Sequence, residues 1–168
     1  SIANGFVDSK YDRSWSLIGP YGTGKSSFAV FLNALLKDSN QILYLTAIKK
    51  LELVDPGLAK QFASVSSLGG TLTIMVTGSF ASLERALYKS IVASIEPINF
   101  NKKYQSLIED CIEKAGTNPS SETVINLLKL IQNGLEANKN PIAGIVVAID
   151  ELGKFAEYAA KNKDDSDI

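Results

Sequence analysis

Short apolar runs and longer segments of helical periodicity alternate along the chain. Three apolar runs bounded by glycine, proline or acidic residues predict β-strands, at positions 14–18, 71–77 and 142–149. The third run is apolar at nearly every position, which favours a parallel strand covered on both faces. Strands that alternate with helices indicate an α/β protein. We therefore expect a three-layer α/β/α sandwich around a parallel sheet.

Helical spacing of apolar residues occurs in several places in the first half of the chain. One helix is predicted after the first strand and a glycine-rich segment, with an inner face formed by Phe28, Phe31, Leu32, Leu35 and Leu36. Segment 40–67 fits two helices, because Asp55, Pro56 and Gly57 interrupt it. This segment and segment 101–138 make the chain longer than a compact α/β core needs, so we interpret both as helical insertions.

Four further helices are predicted in the second half of the chain. Ser79 is expected to cap the first, and Asn118 with Pro119 to open the third. The second covers 104–115 and ends at Gly116. The last helix follows the third strand, and its inner side is expected to consist of Leu152, Phe155, Ala156 and Ala159.

Composition limits the class of protein. With 168 residues, 45% of them hydrophobic, the chain has the apolar content for one folded domain. Seventeen Lys and Arg nearly balance eighteen Asp and Glu. No global positive field is therefore available to attract nucleic acid. Cys111 is the only cysteine and histidine is absent, which excludes disulfides within the chain and metal sites built on His or Cys.

The same sequence bears on location. No apolar run approaches the roughly 18 residues of a membrane span, and the N-terminus lacks the layout of a signal peptide. We therefore expect a cytoplasmic protein without membrane contact. The chain begins at Ser1 rather than at Met and ends in a polar tail over 161–168. We expect it to be an excerpt of a longer protein.

The segment between the first strand and the first helix predicts phosphate binding. Residues 19–26 read Gly-Pro-Tyr-Gly-Thr-Gly-Lys-Ser and fit the pattern G-x-x-x-x-G-K-[ST]. Glycines let the backbone curl, so that successive N–H groups point at phosphates near the positive end of a helix. Lys25 then neutralises the β- and γ-phosphate oxygens, and the Ser26 hydroxyl ligates Mg²⁺. The residues expected to contact the nucleotide are Tyr21, Gly22, Thr23, Gly24, Lys25, Ser26 and Ser27.

Asp150 and Glu151 directly follow the third predicted strand. The carboxyl ends of parallel strands face the crevice that also receives the loop after the first strand, so Asp150 is expected to hold Mg²⁺ directly or through water. Glu151 is expected to polarise a water for attack on the γ-phosphate, and with Lys25 it forms the predicted catalytic pair. Acidic pairs also begin helices, so this hypothesis depends on the phosphate-binding segment upstream.

Together, the two motifs resemble the Walker A and Walker B elements of the P-loop NTPases. With Ile-Val-Val-Ala-Ile-Asp-Glu at 145–151, the chain is similar to the branch with an additional strand and a catalytic glutamate, which includes AAA, origin-recognition-like and STAND ATPases. The resemblance implies one P-loop NTPase core over 1–168, with further strands beyond residue 168. It also implies Mg²⁺-dependent ATP binding and hydrolysis that drive conformational change or remodelling in a larger protein. Residues 150–160 resemble ATPase modules of large bacterial anti-phage defence proteins.

Two other functions stay open. One is a nucleotide-gated switch of STAND type, in which ATP binding stabilises one arrangement and slow turnover resets it. The other is a GTPase, since residues 150–153 also fit D-x-x-G. Guanine recognition in that family uses an Asn-Lys-x-Asp pattern that does not follow residue 153 in this sequence.

The resemblance to these ATPases also implies binding partners. DNA or other proteins would be contacted through regions outside this sequence, and a homo-oligomer would let an arginine reach a neighbour's γ-phosphate. Arg85 is the candidate for such a finger, although its position beside Glu84 favours an exposed ion pair. Tyr21 either lies over the nucleotide or packs against the domain, and both interpretations stay open.

Overall fold

The computed structural model describes residues 1–8, 10–138 and 142–162. In these residues it contains eight α-helices and two β-strands. In chain order they are α1 (Asn4–Val7), α2 (Lys25–Leu35), α3 (Ile42–Val54), α4 (Pro56–Ser67), β1 (Thr71–Thr77), α5 (Leu83–Ile95), α6 (Lys102–Ala115), α7 (Ser121–Ala137), β2 (Gly144–Asp150) and α8 (Leu152–Lys161). The chain divides into two compact units, the first comprising Ser1–Thr73 and Asn140–Val146 and the second Ile74–Lys139 and Val147–Ile168. No helix in the described ranges has the length and apolar character needed to cross a membrane.

β1 and β2 are hydrogen-bonded neighbours in a parallel two-stranded sheet. At the start of the strands, the Ala143 N–H donates to the Gly70 carbonyl oxygen at 2.7 Å. At their ends, the Gly78 N–H donates to the Asp150 carbonyl oxygen at 2.9 Å. This pairing confirms an α/β protein with parallel strands. It also confirms the strands predicted at 71–77 and 142–149, with small shifts at the ends of the second.

The strand predicted at 14–18 is absent. Residues 12–20 form neither helix nor strand. The side chains of Trp15, Leu17 and Ile18 are 48%, 56% and 90% exposed. A strand is stable where its N–H and C=O groups pair with a neighbouring strand. In the described residues β1 and β2 pair with each other alone. The apolar pattern therefore predicts a strand for which this structure supplies no partner, and the prediction is wrong here.

The first unit is built from α1–α4 around one apolar core. The pair of helices predicted after α2 is confirmed as α3 and α4. The Asp55 carboxylate caps α4 by accepting the Leu58 N–H at 2.9 Å, and Pro56 occupies the first turn. The Thr71 N–H donates to the Leu36 carbonyl oxygen at 2.7 Å, which ties the start of β1 to the end of α2. The buried core consists of Ala3, Leu35, Leu36, Tyr44, Ala47, Ile48, Ala59, Phe62 and Val65.

The second unit has its core between α5, α6 and α7, where α7 packs against the other two helices. The buried side chains on these helices are Ile91, Ile95, Ile108, Val124, Leu127, Ile131 and Leu135. Gly134 permits a close approach, because a Cβ there would lie 2.7 Å from Cδ1 of Phe100. The Asn138 side chain joins the end of α7 to the segment before α6. Its Oδ1 accepts the Asn101 N–H at 2.8 Å, and its Nδ2 donates to the Asn99 carbonyl oxygen at 2.6 Å.

Two helix starts differ from the prediction. Ser82, not Ser79, caps α5, and its hydroxyl accepts the N–H three residues later at 3.3 Å. Ser120 caps α7 with the same geometry at 3.2 Å, so Asn118 and Pro119 lie before the helix. Serine and asparagine are both good caps. The local sequence therefore offers several adjacent starting points, and the path of the chain selects one of them.

Several apolar side chains that were expected in the interior are exposed. Val147 and Ile149 on β2 are 39% and 37% exposed, so this strand is not covered on both faces as predicted. Phe155 on α8 is buried as expected. The periodicity of a helix or strand locates its apolar face but not the element that covers it. The remaining residues exposed against expectation are Phe28 on α2 and Leu152, Ala156 and Ala159 on α8.

Candidate nucleotide-binding site

The segment 19–24, here called the glycine loop, lies in the first unit and leads directly into α2 at Lys25. Gly22 and Gly24 have φ values of 83° and 84°, in the left-handed region that favours glycine. A Cβ on either residue would meet no atom within 4 Å. Backbone conformation, not crowding, therefore calls for glycine at these two positions. This is the curled backbone that the sequence pattern predicts.

The Lys25 ammonium closes the loop on itself. Its Nζ donates to the Gly19 and Pro20 carbonyl oxygens, both at 2.8 Å, and the Thr23 hydroxyl also donates to the Pro20 carbonyl oxygen at 2.8 Å. These partners are neutral, so the lysine charge is not cancelled by a carboxylate within this set of contacts. A phosphate oxygen makes stronger, charge-assisted bonds to an ammonium than a carbonyl does. The Lys25 ammonium is therefore held at the loop by carbonyl oxygens that a phosphate oxygen can replace.

The start of α2 adds a second source of positive potential. The Phe28 N–H donates to the Gly24 carbonyl oxygen at 2.8 Å, so Gly24 is the residue from which the helix begins. The main-chain N–H groups of residues 25–27 precede this bond and point toward the glycine loop, as N–H groups do in the first turn of a helix. With the helix dipole, they favour an anion at this end. Ser26 and Ser27 are exposed on this first turn.

Tyr21 is 103% exposed and lies at the outer surface of the glycine loop. The structure therefore does not support the interpretation in which this ring packs against the domain. Stacking over a bound nucleotide stays a prediction for Tyr21.

Asp150 and Glu151 lie in the second unit, at the end of β2, and form a corner with Gly78, the residue that follows β1. The Gly78 N–H donates to the Asp150 carbonyl oxygen, and Asp150 Oδ1 accepts the Glu151 N–H at 2.9 Å. Glu151 has φ 56° and ψ 43°, and it is the one non-glycine residue with positive φ in the described chain. A left-handed conformation costs an ordinary residue about 1–2 kcal/mol, and such strain is often found at functional sites.

Gly78 is required by space, in contrast to the glycines of the loop. A Cβ on Gly78 would lie 2.6 Å from the Glu151 carbonyl oxygen and 2.8 Å from Glu151 Cβ. No side chain fits this gap without displacing the corner. The sequence gives no distinguishing signal for this role, since Gly78 looks like any glycine that ends a strand.

Lys154 contacts the carboxylate of Glu151. Its Nζ lies 2.6 Å from Glu151 Oε2, and the two side chains are 42% and 45% exposed. The hydrogen bond to Glu151 is the largest influence on Lys154 and raises its pKa. Desolvation lowers the pKa in part, and the charges of Glu151, Asp150 and Glu157 raise it further. The spacing of three residues at a helix start is the signal by which sequence reasoning could have found this pair.

Arg85 is exposed on α5 and does not form the ion pair expected with Glu84. The ion pairs that the described part of the chain does form include Lys114–Asp110 and Lys154–Glu151. The Glu84 carboxylate instead accepts the Ser121 hydroxyl at 3.0 Å. The role of an arginine finger stays a prediction for Arg85.

The residues predicted to ligate Mg²⁺ offer oxygen atoms, the donor type that a hard cation prefers. No group of three or more His, Cys, Asp or Glu side chains in the described ranges could hold a metal ion by itself. Mg²⁺ keeps several waters and binds through one or two protein oxygens together with substrate phosphates. The Ser26 hydroxyl, in the first unit, and the Asp150 carboxylate, in the second, are each an oxygen donor of that kind. By its chemistry, each residue taken separately fits Mg²⁺.

A groove of about 600 Å³ in the second unit is a further concave feature. It is lined by α5, α6 and the segment between them, and its apolar lining includes Val92, Ile95, Ile98, Phe100, Ile108 and Ile112. The predicted site residues do not line it. The sequence shows the apolar stripes of both helices but not the gap between them.

Comparisons of the chain with protein-family models, with curated proteins and with solved structures find no match. The resemblance to P-loop NTPases thus stays a prediction that rests on the two motifs.

Proposed function

We propose that this chain binds ATP with Mg²⁺ and hydrolyses it, driving conformational change or remodelling in a larger protein. The observation that carries the proposal is the glycine loop. Two glycines in left-handed conformation, a lysine held at the loop by neutral carbonyls and the start of α2 combine at one place. Each of these features favours a bound polyphosphate.

Residue roles follow from the chemistry of each group. The N–H groups of residues 22–27 bind phosphate oxygens, and Lys25 neutralises the β- and γ-phosphates. Ser26 and Asp150 are the oxygen donors that we assign to Mg²⁺, which when bound screens the negative charge of the phosphates. Glu151 orients the attacking water and accepts its proton. DNA, other proteins and a second copy of the chain are the partners that we propose for the larger protein.

The finer fold that we propose is a P-loop NTPase core over 1–168, with three α/β/α layers and helical insertions. Parallel pairing of β1 with β2 and the glycine loop before α2 support it. The two-stranded sheet of the described residues is smaller than such a core requires.

A nucleotide-gated switch with slow turnover is the second candidate function. The observation that favours it is the ion pair between Lys154 and Glu151, because one oxygen of the proposed base is already bound. A carboxylate held in this way is less able to orient a water, and slow hydrolysis would follow.

Calorimetry and turnover measurements on the intact protein test the proposal. We expect heat of binding with ATP and Mg²⁺, and weaker binding with GTP. Single-turnover and steady-state hydrolysis, each measured with and without DNA, separate the two functions. Fast turnover stimulated by DNA excludes the switch, and tight binding with negligible turnover excludes hydrolysis-driven remodelling. Absence of binding to any nucleoside triphosphate contradicts both.

A further inference from the structure

The backbone of Glu151 is fixed from several sides. Asp150 is tied to Gly78 through the strand pairing, and its carboxylate accepts the Glu151 N–H. Gly78 lies so close to Glu151 that there is no space for a Cβ between them. With the main chain held in this way, the direction of the Glu151 carboxylate depends on its own side-chain torsions and on the group it binds.

Lys154 is the group that the Glu151 carboxylate binds. It is the third residue of α8, and Glu151 is the residue that caps this helix. The 2.6 Å contact between Nζ and Oε2 therefore folds the carboxylate back onto the first turn of its own helix. Because Oε2 accepts the hydrogen bond from the ammonium in this direction, only Oε1 is left to orient a water outside the turn.

We infer that Lys154 is a positioning residue that holds the Glu151 carboxylate on the first turn of α8 until this contact opens. The inference rests on the proposed function, in which Glu151 orients the attacking water. Lys154 itself touches neither water nor phosphate in this account. Lys154 lowers the fraction of molecules in which the Glu151 carboxylate is free to orient the attacking water.

The expected effect is moderate, because the pair is partly exposed to solvent. Removing the ammonium with Lys154→Met should raise kcat for ATP hydrolysis about two- to fivefold, the range expected when an exposed ion pair no longer has to open. Kd for ATP and KM should not change, since Lys154 does not contact the nucleotide in this account. Lys154→Arg keeps a cation at the same place and should retain the wild-type rate.

A matched control is available in the same unit. Lys114 forms an ion pair with Asp110 at 2.7 Å on α6, and both side chains are exposed. Lys114→Met removes a comparable ion pair and should leave kcat at the wild-type value. The double variant Glu151→Gln with Lys154→Met should be as slow as Glu151→Gln alone, because the gain passes through the Glu151 carboxylate.

The experiment measures ATP binding by calorimetry and kcat and KM by steady-state hydrolysis on the intact protein. If the wild-type protein binds no ATP, the proposed function fails and the inference fails with it. If the wild type binds and hydrolyses ATP but Lys154→Met has an unchanged or lower kcat, the inference alone is overturned. The inference is also overturned if Lys154→Arg matches Lys154→Met, or if the double variant exceeds Glu151→Gln.

Discussion

The glycine loop of the first unit and the corner at Asp150 and Glu151 of the second both bend the backbone into the left-handed region. The loop does so with Gly22 and Gly24, in open space, at little conformational cost. The corner does so with Glu151, which packs so closely against Gly78 that a Cβ on Gly78 has no space. The loop is therefore shaped by local residue preference, and the corner is shaped by contacts that override such a preference.

This difference predicts different responses to substitution. In the loop, the chemistry and the conformation depend on separate residues, since Lys25 supplies the charge and the glycines supply the shape. In the corner, Glu151 supplies both. Substitutions in the two regions separate these contributions.

Lys25→Ala should have the largest effect. It removes the charge that neutralises phosphate and also the two bonds that close the glycine loop. We expect ATP affinity to fall about 100-fold or more, because charge-assisted contacts to phosphate are lost. Calorimetry measures this, with Lys50→Ala on the exposed side of α3 as the control. Equal affinity in Lys25→Ala and Lys50→Ala would remove the loop from the proposed site.

Glu151→Gln should separate binding from hydrolysis. The amide retains the size of the side chain but cannot accept a proton, so kcat should fall about 100-fold or more while Kd for ATP stays within about twofold. The matched control is Glu157→Gln, at an exposed position on α8. Normal hydrolysis by Glu151→Gln would show that another group is the base.

Gly78→Ala should disturb the corner without changing its charged groups. The added Cβ would lie 2.6 Å from the Glu151 carbonyl oxygen, so the chain must move. We expect a loss of about 1–3 kcal/mol in the free energy of unfolding, typical of an overpacked site. Hydrolysis should fall more than ATP binding. Denaturant unfolding measures the loss, and Gly153→Ala, where a Cβ meets nothing within 4 Å, should be neutral or stabilising.

Glu151→Gly should have the smallest effect on stability, and an opposite sign. Glycine adopts the observed φ of 56° without strain. We therefore expect the free energy of unfolding to rise by about 0.5–1 kcal/mol while hydrolysis is lost. In the loop, Gly24→Ala should instead lower it by about 1 kcal/mol, because alanine is strained at positive φ. A loss of stability in Glu151→Gly would mean that the corner is not strained.

The sequence predicts the parts of the structure that depend on nearby residues. The glycine loop before α2, the break at Asp55 between α3 and α4, and the end of α6 before Gly116 all follow from local residue types. The segment 14–18 could not be predicted in the same way, because its apolar pattern says nothing about which strand lies beside it. The exposed positions Val147 and Ile149 differ from prediction for the same reason.

The candidate site also has a part that the sequence predicts and a part that it does not. The motifs single out Lys25, Ser26, Asp150 and Glu151, and they predict the curled shape of the glycine loop. The left-handed conformation of Glu151 and the role of Gly78 could not be predicted, since they depend on a contact between residues far apart in sequence. The contact of Lys154 with Glu151 is different, because the spacing of three residues at a helix start could have indicated it from the sequence.

The open surroundings of Gly22 and Gly24 have a stereochemical consequence. Residues of D configuration favour the backbone region in which these two glycines lie, as their use in tight turns shows. A D-alanine introduced by chemical synthesis would keep the observed φ. L-alanine would not keep this φ without strain, although its methyl group would meet no atom within 4 Å. At these positions it is therefore the handedness of the residue, and not the volume of an L-methyl group, that limits substitution.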